Sequence, residues 1–86
     1  MPTISIFFGI FIRMFFDDHL PPHFQAEYGE YKVKISIDTI EILDGSLPNR
    51  ALGLVLEWAV LHREELRADW DLCVKKQQPK RILPLE

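Results

Sequence analysis

The chain has 86 residues, 48% of them hydrophobic, and a formal net charge of −3. This length fits one small globular domain and is too short for two. Nucleic acid is a possible partner, but a net negative charge does not indicate one. Cys73 is the only cysteine, so an internal disulfide is excluded and a reducing, cytoplasmic location is favoured.

The chain begins with an apolar segment, residues 4–16, that reads ISIFFGIFIRMFF. A membrane-spanning helix needs about 20 apolar residues, and this shorter run is interrupted by Arg13. It also lacks the basic start and small-residue cleavage site of a signal peptide, so we expect no membrane association. Every even position from Ile4 to Phe16 is apolar, which predicts strand structure with a bulge, a bend or a break into two strands at Gly9.

The odd-numbered face of this segment is mixed and carries Phe7, Phe11 and Phe15. If a helix covers only the even face, these rings form an exposed apolar patch, which is typical of an interaction surface. The alternatives are a sheet covered on both sides, or two copies that dimerise through this face. We take these three residues as candidate interaction residues, together with Trp58, although core packing is the usual role of such a tryptophan.

A turn and a hairpin are predicted next. Residues 17–22, DDHLPP, favour a turn because proline cannot donate a ladder hydrogen bond. Strands over 23–28 and 31–37 are joined by Gly29–Glu30, which suits a type II′ hairpin. The register that follows pairs Tyr28 with Tyr31, Glu27 with Lys32, Ala26 with Val33, Gln25 with Lys34, and Phe24 with Ile35.

The C-terminal half is predicted to be helical. Ile40–Leu43 can add a short strand, and Asp44–Ser46 favours a turn. A helical pattern then runs from Asn49 to about Lys76, as one bent helix or as two helices broken near His62.

We therefore predict a single α+β domain over residues 1–86. Residues 1–47 are strand-rich, residues 48–78 are helical, and residues 79–86 form a tail or an edge strand. The expected architecture is a small, mostly antiparallel sheet of three or four strands packed by the long or broken C-terminal helix.

The densest group of reactive side chains surrounds the predicted turn. Its members are Asp17, Asp18, His19, His23 and Glu27. His19 and His23 with Asp17 can bind a divalent metal, the one cofactor that the residues suggest, although the spacing matches no established metal motif. The same histidines with Asp18 or Glu27 can act as a general acid and base. A polar turn with solvated histidines is the simpler interpretation.

Five segments resemble a bacterial family designated domain of unknown function four-one-six-zero. They read MPTISIFFGIFIRM, DDHLPPHF, EYGEY, ALGLVLEWAVLHREEL and ILPLE. The resemblance implies a short cytoplasmic protein, often encoded beside another small protein in an arrangement that looks like a toxin–antitoxin pair. The family pattern has a further histidine where this chain has Gln25. This departure argues against a three-histidine site but leaves a site of two histidines and a carboxylate, or a His acid–base pair.

Two functional hypotheses follow. The first is a binding or regulatory component of a toxin–antitoxin-like module, with a small partner protein encoded nearby or a second copy of the chain as partner. The second is a ribonuclease in which one histidine takes the 2′-hydroxyl proton and the other protonates the leaving oxygen, or in which a bound divalent ion stabilises the phosphate. A stand-alone structural homodimer is a third interpretation.

Overall fold

The computed structural model describes residues 2–16 and 19–86, and within them it shows an α+β fold. Five strands form one antiparallel sheet in chain order, and two helices follow. The elements are β1 (Thr3–Phe7), β2 (Ile10–Arg13), β3 (His23–Tyr28), β4 (Tyr31–Ser36), β5 (Ile42–Gly45), α1 (Asn49–Leu61) and α2 (Arg63–Val74). The predicted fold class is confirmed, and the sheet has more strands than the three or four expected.

The first additional strand arises because the apolar segment folds back on itself at Gly9, which confirms the predicted alternative of a break into two strands. Phe7 pairs with Ile10, so Phe8 and Gly9 form a two-residue turn in which φ is positive at both residues, 50° and 78°. This combination is characteristic of a type I′ hairpin, whose twist matches that of the strands. A phenylalanine in the left-handed region is disfavoured by about 1–2 kcal/mol, because its Cβ crowds the following carbonyl oxygen.

The even-numbered apolar residues do not all share one buried face, as one continuous alternating strand would require. The register of β1 shifts between Thr3 and Ser5, and a shift of one residue exchanges the faces of a strand. As a result Phe7 lies in the core, whereas Ile6 and Phe8 are exposed.

The β3–β4 hairpin has the predicted register at all five cross-strand pairs. Gly29 has a φ of 58°, as the first central residue of a type II′ turn requires. The inward residues of this hairpin are apolar and buried, and they form the centre of the sheet: Phe24, Ala26, Val33 and Ile35.

Strand β5 lies two residues later than predicted, and the turn expected at Asp44–Ser46 is wrong because Asp44 and Gly45 belong to this strand. Gly45 pairs with Val33 at a φ of 81°. A Cβ atom at this glycine would overlap the backbone carbonyl oxygen of Lys32. The absence of a side chain therefore allows the last strand to approach the sheet closely.

The helical half is broken at His62, which confirms one of the two predicted alternatives. The core-facing residues of α1 are Ala51, Val55, Trp58 and Ala59, and those of α2 include Leu66, Trp70 and Cys73. Helix α1 packs on one face of the sheet, where the Trp58 ring lies 5.3 Å from the ring of Phe7 and 5.9 Å from that of Phe24. Among the described residues, no helix has the length and apolar character needed to cross a membrane.

The C-terminal tail runs beside β1 without forming a strand. The N–H of Ile82 donates a 2.7 Å hydrogen bond to the carbonyl oxygen of Ile4. The indole N–H of Trp58 donates to the carbonyl oxygen of Leu83 at 2.8 Å. These two bonds attach the tail to the edge of the sheet and to α1.

A third bond attaches the tail to α2. The buried carboxylate of Asp69 accepts the Lys80 N–H through Oδ1 at 2.9 Å, whereas its Oδ2 atom has no hydrogen-bond partner among the described residues. Burial is the main effect and raises the pKa of Asp69 above 3.8. The hydrogen bond from the Lys80 N–H opposes this effect, the Glu65 carboxylate adds to it, and the Lys80 ammonium group opposes it. Burial and, to a smaller extent, the Asp69 carboxylate raise the pKa of the Cys73 thiol to about 11.

Gly45→Ala and Gly53→Ala are predicted to change stability in opposite directions. Gly45→Ala lowers the free energy of unfolding by at least about 1–2 kcal/mol, because alanine is disfavoured at positive φ and its Cβ meets backbone atoms. Gly53 lies inside α1 with open space around it, so Gly53→Ala raises the free energy of unfolding by about 0.5–1 kcal/mol. Urea unfolding measures both, and equal effects would contradict the placement of β5.

Asp69→Asn is predicted to remove one component of the pH dependence of stability. An acid whose pKa is raised on folding binds protons more tightly in the folded state, so its contribution falls as pH rises from 3.8 through the folded pKa. Asparagine keeps the Oδ1 acceptor for Lys80 and does not titrate. The free energy of unfolding of Asp69→Asn minus that of the wild type should therefore increase as pH rises from 3.8 through the folded pKa.

Unfolding of the wild type, Asp69→Asn and Asp69→Ala between pH 3 and 8 measures this effect. Asp69→Ala leaves the Lys80 N–H without its acceptor, and we expect it to be less stable than Asp69→Asn at each pH. A constant difference between the wild type and Asp69→Asn would contradict the raised pKa.

Candidate functional site

The structure describes only part of the predicted cluster at the polar turn. Asp17 and Asp18 lie outside the described residues. Within the rest of the chain, His19, His23 and Glu27 form no group that could hold a metal ion. The metal and acid–base hypotheses therefore stay predictions for the complete turn.

His23 has the surroundings of a structural histidine. Its side chain is buried, with the residue 6% exposed, and its Nδ1 atom lies 2.8 Å from the carbonyl oxygen of Pro21. Because a carbonyl only accepts, Nδ1 carries the hydrogen of this bond. The ring lies 5.3 Å from the ring of Trp70, on helix α2. His23 thus joins the start of β3 to α2, whereas His19 is exposed.

Helix α2 lies near the end of the sheet where β4 ends. Arg67 of α2 donates a 2.6 Å hydrogen bond to Asp38, which follows β4. Together with the contact between His23 and Trp70, this bond places α2 at the sheet end, where His23 and Ser36 are buried. The rest of the face opposite α1 stays half-buried or exposed and has no second layer among the described residues.

We call this surface the uncovered face. The cross-strand partners that share it are Thr3, Ile6, Phe11, Arg13, Gln25, Glu27, Lys32, Lys34 and Asp44. Residues directly opposite one another in a ladder point to the same side of a sheet, so the register places these residues together. The pair His23–Ser36 has the same alternation but is buried at the sheet end, where His23 contacts α2, and it is not part of the uncovered face. The uncovered face spans all five strands and includes apolar, basic and acidic side chains.

Two neighbouring apolar side chains lie on the β1–β2 side of the uncovered face. Ile6 is 42% exposed and Phe11 is 39% exposed, and the two residues are directly paired. A polar group borders them, since the Arg13 guanidinium carbon lies 5.5 Å from the centre of the Phe11 ring. Such a cation–π contact orients the ring on a strand that is itself held by two neighbours.

A hydrogen-bonded group occupies the centre of the uncovered face. The Gln25 amide donates to the Glu27 carboxylate at 2.8 Å, and Arg13 Nε lies 3.9 Å from the same carboxylate oxygen. The second distance is too long for a hydrogen bond but keeps the two charges paired. Gln25 therefore supports Glu27 on this face.

The interaction residues predicted from the sequence are partly wrong. Phe7 and Trp58 are buried in the core, so neither belongs to an exposed patch. Phe11 does lie on the uncovered face, and Phe15 is half-buried beyond the end of β2. Sequence reasoning missed Ile6, because the register shift in β1 that turns this residue outward leaves no signature in the apolar pattern.

His23→Ala and His19→Ala are predicted to differ in stability. His23→Ala removes a buried ring with its hydrogen bond, and we expect a loss of roughly 1–3 kcal/mol in the free energy of unfolding. His19→Ala changes an exposed side chain and should cost less than His23→Ala. Thermal or urea unfolding measures both, and a neutral His23→Ala would show that the histidine is not a packing residue.

Comparison with known proteins supports the resemblance already visible in the sequence. A family model described as "Domain of unknown function (DUF4160)" matches residues 9–71, which include β2 to β5, α1 and most of α2. No curated protein and no solved structure matches the chain. Since the model covers well over half of the residues, this chain belongs to the DUF4160 family of domains of unknown function.

Proposed function

We propose that the protein is the binding component of a two-protein module and that it contacts its partner through the uncovered face. One observation carries the proposal: Ile6 and Phe11 are adjacent, exposed and apolar on a sheet face that no other described element covers. A sheet normally buries its apolar side chains against a second layer. A partner protein would supply that layer here.

The local rigidity of Phe11 supports this role. Its backbone is held in β2 between β1 and β3, and its ring is bordered by Ile6 and Arg13. A side chain already held in one orientation loses little conformational entropy when a partner binds. Aromatic residues of this kind are frequent energetic centres of protein interfaces.

The charges of the uncovered face suggest the chemistry of the partner. Lys32 and Lys34 lie on β4, one strand beyond the paired group of Glu27 and Gln25. A complementary surface would place apolar side chains over Ile6 and Phe11 and acidic side chains over the lysines. A small cytoplasmic protein encoded nearby, as in a toxin–antitoxin-like pair, is the partner that we propose.

Phe11→Lys is predicted to weaken partner binding strongly while the fold is retained. The substitution places a charge at the centre of the apolar contact, and we expect affinity to fall at least ~10-fold, as for an interface hot spot. Leu61→Lys is the matched control, because Leu61 is an exposed apolar residue of α1 outside the uncovered face. The tagged variants would be purified from the native host and the stoichiometry of the co-purified protein measured.

Three outcomes of this experiment count against the proposal. Absence of any stoichiometric partner of the wild type would remove the two-protein module. Equal binding by wild type and Phe11→Lys would exclude the uncovered face as the contact. Self-association in sedimentation that Phe11→Lys abolishes would replace the small partner by a second copy of the chain.

A further inference from the structure

A pocket of about 220 Å³ opens on the other side of the sheet, between the β1–β2 turn and the start of α1. Its walls include Phe8, Ile10 and Tyr28 from the sheet, and Ala51, Leu54 and Arg50 from the helix. Apart from the phenol and the guanidinium, these side chains are apolar. Ligand sites commonly combine apolar walls with a few polar groups in this way.

Phe8 occupies an unusual position in this pocket. It is 60% exposed and has a φ of 50° at the tip of the type I′ turn, where asparagine or glycine is normally preferred. Its ring meets the edge of the Phe7 ring at a centroid distance of 6.5 Å, so it stands at the boundary between core and solvent. The hairpin would be more stable with asparagine at this position, and the ring's place in the pocket wall suggests why phenylalanine is present instead.

Arg50 gives the pocket its charge. Its exposed guanidinium forms no ion pair or hydrogen bond in the part of the chain that the structure describes. No acidic side chain lies among the residues that line the pocket. An anionic group next to an apolar one is therefore the complement of this site.

We infer that this pocket binds one apolar side chain of a partner protein, with a neighbouring carboxylate of the partner on Arg50. The volume is smaller than the 300–1,000 Å³, in round numbers, of a small-molecule site, so a single side chain fits better than a free ligand. The inference goes beyond the proposed function, because the pocket lies on the α1 side of the sheet and the uncovered face on the opposite side. A partner that bound both the pocket and the uncovered face would contact the β1–β2 hairpin from both sides.

Two capped dipeptides test the inference directly. Acetyl-Phe-Asp-amide and acetyl-Phe-Asn-amide have the same shape and differ in the carboxylate. Titration followed by backbone NMR should shift the signals of Gly9, Tyr28 and Leu54, with a Kd on the order of 1 mM for so small a probe. The Asp peptide should bind about two- to five-fold more tightly than the Asn peptide at low salt, as expected for one exposed ion pair.

Three variants make the test specific. Phe8→Asn should remain folded and be at least as stable as the wild type, since asparagine suits the left-handed turn, yet should lose binding of both peptides. Arg50→Gln should bind the two peptides equally. Phe16→Asn is the matched control, because the same substitution at an exposed phenylalanine outside the pocket should leave binding unchanged.

Absence of shifts in the wild type at up to ~10 mM peptide would overturn the inference, since even weak probes of this size are detected there. Unchanged binding by Phe8→Asn, or an unchanged preference for the Asp peptide in Arg50→Gln, would also overturn it. None of these results affects the proposed function, which is decided by Phe11→Lys on the opposite side of the sheet.

Discussion

The buried indole of Trp58 is the contact on which the remaining structure depends. Its ring lies against Phe7 from the first hairpin, Phe24 from the second and His62 at the helix break. Its N–H donates to the carbonyl oxygen of Leu83 and so attaches the tail. One side chain thus joins both hairpins, the helical layer and the C-terminal segment. A chain of this length buries a small core, and a large aromatic residue supplies much of it.

A core organised in this way covers only one face of the sheet. Helix α1 brings Trp58 onto that face, and α2 turns away at His62 to lie against the start of β3. The opposite face keeps Ile6 and Phe11 exposed beside a charged and hydrogen-bonded group. The same one-sided packing leaves the pocket at Arg50 beside the first turn of the helix. Both proposed interaction surfaces therefore follow from a single helical layer on a five-stranded sheet.

The elements that sequence reasoning predicted correctly are those whose evidence is local. The register of β3–β4 follows from complementary neighbours across a Gly29 turn, and the helix break coincides with the end of the apolar stripe at His62. The faces of β1 could not be predicted, because the register shift beside Ile4 leaves no signature in the apolar pattern, whereas the turn at Gly9 was one of the predicted alternatives. The position of β5 depends on a backbone approach at Gly45 that only the folded chain shows.

The same distinction between local and long-range evidence applies to the candidate site. Exposure of Phe11 was predicted from alternation, but the burial of His23 depends on Trp70, which is distant in the sequence. Spacing alone cannot distinguish a histidine that packs from one that reacts. Gln25 was predicted to be the cross-strand partner of Lys34 and was interpreted as a missing ligand, and the fold shows in addition that its amide donates to Glu27.

The central claim is that the sheet is buried on one face only and that a partner covers the other face. Solvent paramagnetic relaxation enhancement measures this exposure most directly. A soluble paramagnetic gadolinium chelate would be added to the protein, alone and with its co-purified partner, and side-chain NMR signals compared. The account predicts strong attenuation of Ile6 and Phe11 in the free protein, little attenuation of Phe7 and Ile12, and protection of Ile6 and Phe11 in the complex. Equal attenuation of Ile6 and Ile12, or exposure of Phe11 that the partner leaves unchanged, would contradict it.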